Sequence, residues 1–319
     1  MKRIGNLFDH CFSEDNLYMA YIDARKGKRA KKSVIEFEKS LGSNIEYLRQ
    51  SIANSTYCPK PYTKFIVYEP KERIIYAPHF SDVVVQHAIY RVIYPIYDAT
   101  FIRQSHGCRK NHGTHSASAY TQWALRQCDD DEYLLQLDIR KFFYSIDRNI
   151  LGVLIEKKIK DQRLLAMMKM FMCMEDSEVG IPIGNLLSQL YALIYLNPVD
   201  HFIKRDIGCK LYVRYVDDFI LFGLSLEEAR AIKVLIESFI KKELNLEFSK
   251  STIQKIRKGT NFVGFRTFKG LKLVRKRSMY NFRKAFKNNK TEALASMMGH
   301  AKGTQTLKYY TSIMEKSNG

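Results

Sequence analysis

The stretch YVRYVDDFILFG, residues 212–223, places two adjacent carboxylates at the centre of an apolar run. Aspartate is depleted in β-strands, and burying an ionised carboxylate without a partner is costly. The residues on either side alternate, which predicts a β-hairpin with Asp217 and Asp218 near its tip. Either this tip is an ordinary solvated turn, or a positive group binds there.

A second stretch, EYLLQLDI (residues 132–139), is apolar without interruption and predicts a central strand that ends near Asp138. A strand end beside a hairpin tip would bring Asp138, Asp217 and Asp218 to one edge of a sheet. Carboxylate oxygens suit Mg²⁺, and two such ions about 3.5–4 Å apart form a site for phosphoryl chemistry. Each aspartate alone could be an ordinary turn or strand-end residue, but together they favour a metal site.

The other patterns predict a mixed fold. They indicate helices over 33–53, 81–97 and 225–244, a helix-rich region over 147–174 and a β-hairpin over 64–78. Ser81 and Pro95 are the expected limits of the second helix, and Ser225 with Glu228 forms a capping box for the third. The apolar stripe of that third helix includes Leu235. This order predicts an α+β fold, with an antiparallel sheet backed by helices.

Charge is the most informative feature of the composition. The formal net charge is +19, from 52 Lys and Arg against 33 Asp and Glu. Residues 250–319 hold 17 basic and two acidic residues, and the block RKGKRAKK (residues 25–32) holds six basic residues in eight positions. Such surfaces attract phosphates. A basic tail that serves solubility is the alternative, but interleaved aromatic residues favour a folded segment.

Other classes of protein are disfavoured by the same sequence. The chain has no apolar run of about 18 residues, so we expect no membrane span. Its six cysteines are scattered without a CxxC pair, which is typical of reduced thiols in a cytoplasmic protein. The segment HGCRKNHGTH (residues 106–115) matches no strong zinc pattern, and we expect it to line a nucleotide or template path instead.

Five segments carry a resemblance to a known family. QLDIRKFFYSID, GIPIGNLLSQLYALIYLNPVDHF and YVRYVDDF resemble, in this order, the three central palm motifs of reverse transcriptases. LNLEFSKS and NFVGF are similar to the two motifs that follow them. The resemblance spans roughly residues 60–270 and implies an RNA-directed DNA polymerase with the right-hand fold. The implied subdomains are an N-terminal extension with fingers (1–130), a first palm part (131–147), a helical fingers and palm region (148–180), a second palm part (181–265) and a small basic thumb (266–319).

The resemblance also implies the catalytic residues. Asp138, Asp217 and Asp218 would hold two Mg²⁺ ions, with Mn²⁺ able to substitute, and the Ile139 carbonyl would assist. Lys250 matches a lysine that protonates the departing pyrophosphate, although a lone lysine in a basic stretch has an ordinary alternative as a solvated charge.

The implied nucleotide site comes from several motifs. Phe143 takes the steric-gate position that selects dNTPs, with plain core packing as its alternative. Arg73 would grip the triphosphate together with Lys71 and Arg109, since arginine binds phosphate through a bidentate fork. The second palm motif would add Ile183, Gly184 and Gln189. Gly264 would let a turn approach the primer closely, and the thumb would hold the RNA–DNA duplex by its backbone through Arg275, Lys276 and Arg277.

The second palm motif suggests a subfamily. It reads IGNLLSQ where many relatives read QGxxxSP, and this resembles the reverse transcriptases of diversity-generating retroelements, which are encoded by bacteria or phages. Such enzymes copy a template RNA with frequent errors at adenines and are assisted by a small basic accessory protein. A bacterial antiviral-defence or retron-type enzyme with its own structured noncoding RNA is the first alternative. A non-catalytic RNA-binding scaffold is the second.

Overall fold

The computed structural model describes residues 3–68, 72–174 and 177–315. Its helices are α1 (Phe8–Cys11), α2 (Glu14–Ala24), α3 (Lys32–Glu38), α4 (Leu41–Ala53), α5 (Phe80–Asp98), α6 (Thr114–Arg126), α7 (Phe142–Ser145), α8 (Arg148–Glu156), α9 (Gln162–Met170), α10 (Leu186–His201), α11 (Leu226–Leu244), α12 (Lys276–Lys287), α13 (Thr291–Ala301) and α14 (Thr306–Glu315). Its strands are β1 (Thr63–Val67), β2 (Arg73–Ala77), β3 (Tyr133–Ile139), β4 (Leu211–Tyr215), β5 (Asp218–Leu224), β6 (Phe248–Lys255), β7 (Thr260–Phe262), β8 (Phe265–Thr267) and β9 (Lys272–Val274). None of these described helices is both long and apolar enough to cross a membrane.

The chain divides into two compact units. The first unit comprises residues 1–102, 140–201 and 239–247, and the second comprises residues 103–139, 202–238 and 248–319. Each unit is assembled from separate segments of the chain, so these limits do not test the fingers, palm and thumb boundaries expected from the sequence, which remain a prediction.

The first unit is mainly helical and carries the antiparallel hairpin of β1 and β2. The long helix α5 is central to it, with Val84, Ile89 and Ile93 fully buried and with α2 and α10 packed against it. The hairpin predicted over 64–78 is confirmed on both sides of its tip, and residues 69–71 of that tip lie outside the described part of the chain.

Two helix predictions in the first unit are wrong in detail. The helix expected over 33–53 is two helices, α3 and α4, because the backbone leaves the helical region at Ser40 (φ −133°) and Asn44 Nδ2 donates to the Phe37 carbonyl, 2.9 Å away. Helix α5 begins at Phe80 after an N-cap at His79, rather than at Ser81. It also continues through Pro95 to Asp98, because a proline near a helix end disturbs little of the hydrogen-bond ladder.

The second unit is built on a four-stranded antiparallel sheet with the order β4–β5–β3–β6. The stretch 132–139 therefore forms an inner strand, as its apolar character predicts, and the second predicted hairpin is present as β4 and β5. Helix α6 packs on this sheet through a cluster of buried residues that includes Ala124, Leu134 and Ile220. Leu134 and Ile220 share their face of the sheet with Asp138 and Asp218, because residues two apart on a strand point the same way, so the polar residues adjoin the part of this face that α6 covers.

Helix α11 has the predicted capping box, in which the Ser225 N–H donates to Glu228 Oε2 (2.7 Å) and the Glu228 N–H donates to Ser225 Oγ (3.1 Å). Its apolar stripe is wrong at one position, because Leu235 is 52% exposed whereas its neighbour Ile236 is fully buried. The C-terminal part of the second unit combines the sheet β7–β8–β9 with helices α12, α13 and α14. Phe282 and Tyr310 stack at its centre, with ring centroids 3.7 Å apart.

Candidate active site

One row of the four-stranded sheet carries three of the candidate catalytic residues. Asp218 on β5 lies opposite Asp138 on β3, and Asp138 lies opposite Lys250 on β6. Side chains that are opposite each other on antiparallel strands share one face of the sheet. All three line a cavity of about 930 Å³. The structure thus places two carboxylates and a lysine side by side on one face of the sheet.

The third carboxylate belongs to the turn between β4 and β5. Val216 precedes it with φ +57°, a left-handed conformation that β-branched residues rarely adopt. The Ile139 N–H donates to the Asp217 carbonyl across 3.2 Å, which joins the turn to the end of β3. The register of β3 with β6 shifts between Asp138 and Ile139, and such a bulge redirects the strand end.

Asp218 is the carboxylate of this row whose pKa is raised. Burial raises the pKa of Asp218 to about 7, and repulsion from Asp138 and Asp217 acts in the same direction. A hydrogen bond from Gln136 Nε2, 3.0 Å from Asp218 Oδ1, and the positive charge of Arg275 oppose this increase. The three carboxylates therefore influence one another, and a bound cation would remove the repulsion between them.

The chemistry of these donors fits a divalent ion, since carboxylate oxygens are hard ligands. As the side chains stand, however, no group of three or more His, Cys, Asp or Glu residues within 3–68, 72–174 and 177–315 is arranged to hold a metal ion. The structure therefore brings Asp138, Asp217 and Asp218 to one site without a preformed three-carboxylate cage. The Ile139 N–H donates to the Asp217 carbonyl, and a metal contact of its own carbonyl stays a prediction.

Two polar residues of this site were not predicted from the sequence. Gln136 donates to Asp218, accepts from Thr260 Oγ1 at 3.0 Å and donates to the Asn261 carbonyl at 3.2 Å. Ser249 donates from its hydroxyl to the Asp138 carboxylate. For Gln136 the sequence did contain a signal, since it lies two residues before Asp138 in an otherwise apolar strand. Residues i and i+2 of a strand share a face, so Gln136 could have been expected beside the carboxylates.

The thumb candidates lie near the same row. Arg275, Lys276 and Arg277 line the cavity that Asp138, Asp218 and Lys250 also line. Gly264 has φ +93°, and a Cβ there would be 3.0 Å from His300 Nε2. Its carbonyl accepts from the Arg275 N–H at 3.2 Å. Within the second unit, the structure thus gathers the basic residues that begin α12 around the carboxylates.

The second-motif candidates belong to the first unit. The Ile183 carbonyl accepts from the Tyr76 N–H at 2.7 Å, which ties this motif to β2. Gly184 has φ +120°, and a Cβ there would lie 2.8 Å from the Tyr76 carbonyl oxygen. Gly184 and Gln189 line a cavity of about 380 Å³ together with Lys28 and Lys31. The motif and part of the basic block 25–32 are therefore neighbours.

The remaining nucleotide-site candidates are divided between the units. Arg73 begins β2 and is exposed, whereas Lys71 lies outside the described residues. Phe143 is half-buried and its ring packs edge-on against Phe142, with centroids 5.5 Å apart. Arg109 belongs to the second unit, where its Nη1 donates to the Ser105 carbonyl at 3.2 Å. Arg73 and Phe143 thus belong to the first unit and Arg109 to the second, and a shared nucleotide site stays a prediction.

Comparison with known proteins identifies the family. The family model described as reverse transcriptase (RNA-dependent DNA polymerase) matches residues 59–267, which is more than half of the chain. The chain therefore belongs to the reverse transcriptase family. Enzymes of this family generally use divalent metal ions, which agrees with the carboxylate chemistry of the site.

Individual relatives support the same conclusion. The chain is 28% identical over 213 residues to the group II intron-encoded protein LtrA of Lactococcus lactis subsp. cremoris, covering 62% of this chain and 35% of LtrA. It is 24% identical over 293 residues to protein YkfC of Escherichia coli (strain K12), covering 75% of this chain and 74% of YkfC. It thus spans about a third of LtrA but most of YkfC.

A solved structure is similar in fold. Telomerase from Candida albicans, in complex with the TWJ fragment of telomeric RNA, matches with a TM-score of 0.50 at 13% sequence identity. The match covers 76% of this chain and 50% of that chain. Together with the antiparallel sheet, this confirms the predicted α+β fold of the right-hand polymerase class.

Proposed function

We propose that this protein is an RNA-directed DNA polymerase that makes cDNA from a cognate template RNA. The observation that carries the proposal is the row Asp218–Asp138–Lys250, with Asp217 on the adjoining turn and three basic residues in the same cavity. A nucleotidyl transferase needs this combination, because it must bind a metal-chelated triphosphate and a nucleic-acid backbone at one place.

In this proposal Asp138, Asp217 and Asp218 hold two Mg²⁺ ions, and Mn²⁺ can substitute. When bound, the ions supply activation of the primer 3′-hydroxyl and stabilisation of the leaving pyrophosphate. The chain's own residues orient the reactants. Lys250 acts in this proposal as the general acid that gives a proton to the pyrophosphate, and its position opposite Asp138 supports this role.

The substrate contacts are part of the same proposal. Phe143 lies beneath the sugar and excludes a 2′-hydroxyl, which its half-buried ring permits. Arg73, Lys71 and Arg109 bind the triphosphate, and the second-motif residues Ile183, Gly184 and Gln189 contact the template base or the nucleotide. Gly264 adjoins the primer, and Arg275, Lys276 and Arg277 bind the phosphates of the RNA–DNA duplex. Backbone contacts of this kind are independent of sequence.

We further propose that the enzyme serves a diversity-generating retroelement and copies adenines with frequent errors. The support is the motif IGNLLSQ, in which an aliphatic Ile183 replaces an amide near the template base and so removes hydrogen bonds that could hold that base. A small basic accessory protein or a structured RNA is proposed to assist processive synthesis.

A primer-extension assay tests the polymerase proposal. The protein is incubated with a primed RNA, Mg²⁺ and labelled dNTPs, alone and with a candidate accessory protein. Extension should occur with the wild type and be lost when Asp217→Asn is combined with Asp218→Asn. The control is Asp129→Asn, which removes an exposed carboxylate of the same unit and should leave extension intact. RNA binding without extension under every condition would indicate a scaffold instead.

Sequencing the products tests the subfamily. Errors concentrated at template adenines are the expected result for a retroelement enzyme. Faithful copies, or short tandem repeats without a template, would instead support an antiviral-defence or retron-type reverse transcriptase. Both outcomes keep the polymerase assignment, so the two levels of the proposal are tested separately.

A further inference from the structure

The segment Gln104–Cys108 lies along β4, the edge strand of the four-stranded sheet. Ser105 and Arg214 form a parallel β-bridge. The Arg214 N–H donates to the Gln104 carbonyl (3.0 Å), and the His106 N–H donates to the Arg214 carbonyl (2.9 Å). This support segment, as we call Gln104–Cys108, thus extends the sheet by a short stretch next to the residues that lead into the Asp217 turn.

Gly107 is the point at which the support segment meets the turn. A Cβ at this position would lie 2.6 Å from Val216 Cγ2, 2.7 Å from the Val216 backbone nitrogen and 3.3 Å from the Tyr215 carbonyl carbon. Contacts under 3.0 Å are essentially never made by real Cβ atoms. The φ angle of Gly107 lies outside the left-handed range. The glycine is therefore required by the close approach of the turn and not by its own backbone conformation.

The support segment is itself anchored. His106 is 6% exposed, and its Nδ1 is 2.9 Å from Ser116 Oγ on helix α6. Arg109 Nη1 also donates back to the Ser105 carbonyl. Because α6 packs on the sheet, this contact ties the segment to the sheet. Crowding at Gly107 would therefore have to change the spacing between this anchored segment and the turn.

The turn is held by further contacts that fix its position. Arg214, whose side chain is fully buried, donates from Nη1 to the Val216 carbonyl at 2.9 Å. The Ile139 N–H donates to the Asp217 carbonyl. Val216 keeps a left-handed φ of +57° under these constraints. Such strain persists only where the surroundings over-determine the conformation, which is a feature of functional sites.

We propose that Gly107 is a positioning residue: by lacking a side chain, it sets the place of the Val216–Asp217 turn and thereby that of the Asp217 carboxylate relative to Asp138 and Asp218. The inference rests on the proposed polymerase function. It assigns to Gly107, within the support segment, a role in positioning the catalytic turn that the sequence patterns did not indicate.

The variant Gly107→Ala tests the proposal. To bring the contact with the Val216 nitrogen from 2.7 Å to an ordinary 3.4 Å, the turn must move by about 0.7 Å. Because a misplacement of about 1 Å can cost about a hundredfold in rate, we expect kcat to fall by roughly tenfold to a hundredfold. The KM for dNTP and the Kd for primed RNA should stay within about twofold of wild type, because neither depends on the Asp217 turn alone.

Two further variants distinguish a shift of the Val216–Asp217 turn from a general loss of folded structure. Gly42→Ala is the control, because Gly42 is an exposed residue of α4 outside the proposed site and nothing lies within 4 Å of a built Cβ there. It should keep the wild-type kcat. Adding Val216→Ala to Gly107→Ala removes the 2.6 Å contact with Cγ2 and should restore part of kcat. A thermal melting curve for each variant shows whether the fold is retained.

Several results would overturn the inference that Gly107 positions the turn. A Gly107→Ala enzyme with kcat within about twofold of wild type would overturn the inference. So would a loss of dNTP and RNA binding as large as the loss of kcat. If Gly107→Ala alone does not fold, the double variant is compared with Val216→Ala, and equal kcat values overturn the inference. A wild type that extends no primer would instead remove the polymerase proposal itself, and this inference with it.

Discussion

Gln136 should contribute to catalysis although it binds no substrate in the proposed scheme. Its Nε2 donates to Asp218 Oδ1 at 3.0 Å from the neighbouring strand β3. This bond favours the ionised form of a carboxylate whose pKa is raised by burial and by repulsion from Asp138 and Asp217. The variant Gln136→Met keeps the length of the side chain and removes the donor. We expect this variant to lower activity although Asp138, Asp217 and Asp218 are all still present.

The size of the effect follows from the type of bond that is lost. A hydrogen bond to a charged group contributes about 1.5–3 kcal/mol, against about 1 kcal/mol for a neutral one. If the lost free energy adds in full to the barrier of the chemical step, kcat should fall by roughly tenfold to a hundredfold. The lost neutral bonds, to Thr260 Oγ1 and the Asn261 carbonyl, should appear separately as a modest loss of thermal stability.

Primer extension at saturating dNTP and Mg²⁺ measures kcat, and thermal melting measures stability. Gln254→Met is the matched control, because Gln254 lines the same cavity and its Nε2 donates to a neutral acceptor, the Gly259 carbonyl, at 2.9 Å. It should lose stability but keep kcat within about twofold. If Gln136→Met retains wild-type kcat while it remains folded, the amide does not support Asp218 and the reasoning fails.

Two further predictions concern single side chains. Phe143→Ala should increase ribonucleotide incorporation, because a half-buried ring that blocks the 2′-hydroxyl is removed; an unchanged ratio of dNTP to rNTP kcat/KM would contradict the steric-gate proposal. Ser249→Ala should lower kcat by about tenfold through loss of the hydroxyl bond to the Asp138 carboxylate, and Ser249→Thr should restore most of it. If the alanine and threonine variants have equal kcat, the hydroxyl has no role.

The main features of the sheet could be predicted from the sequence because each depends on a local pattern. An unbroken apolar run gives the inner strand β3, and alternation around Asp217 and Asp218 gives the hairpin of β4 and β5. The expectation that Asp138 approaches this hairpin depended on where two strands end. The pairing of Asp138 with Asp218 depends also on bulges, which no local pattern encodes.

Other features depended on tertiary packing and could not be predicted. The break at Ser40 contains neither Gly nor Pro, so the apolar periodicity of 33–53 continued through it. Leu235 and Ile236 both fit a helical stripe, and only packing decided that Ile236 is the buried one. Gln136 resembled an isolated polar residue in an apolar strand. Its role became visible only when β5 placed Asp218 beside it.

The adjacent aspartates of the opening stretch now have a physical explanation. They occupy different structural positions, Asp217 in a turn and Asp218 in a strand, so that each is fixed by separate backbone contacts. The grouping of negative charge is costly, as the raised pKa of Asp218 indicates, and the amide of Gln136 and the charge of Arg275 offset only part of that cost. Such uncompensated charge reduces stability and is retained at sites where a cation or substrate completes the neutralisation. The same electrostatic imbalance that makes the hairpin improbable as a purely structural element therefore makes it suitable as a metal-dependent active site.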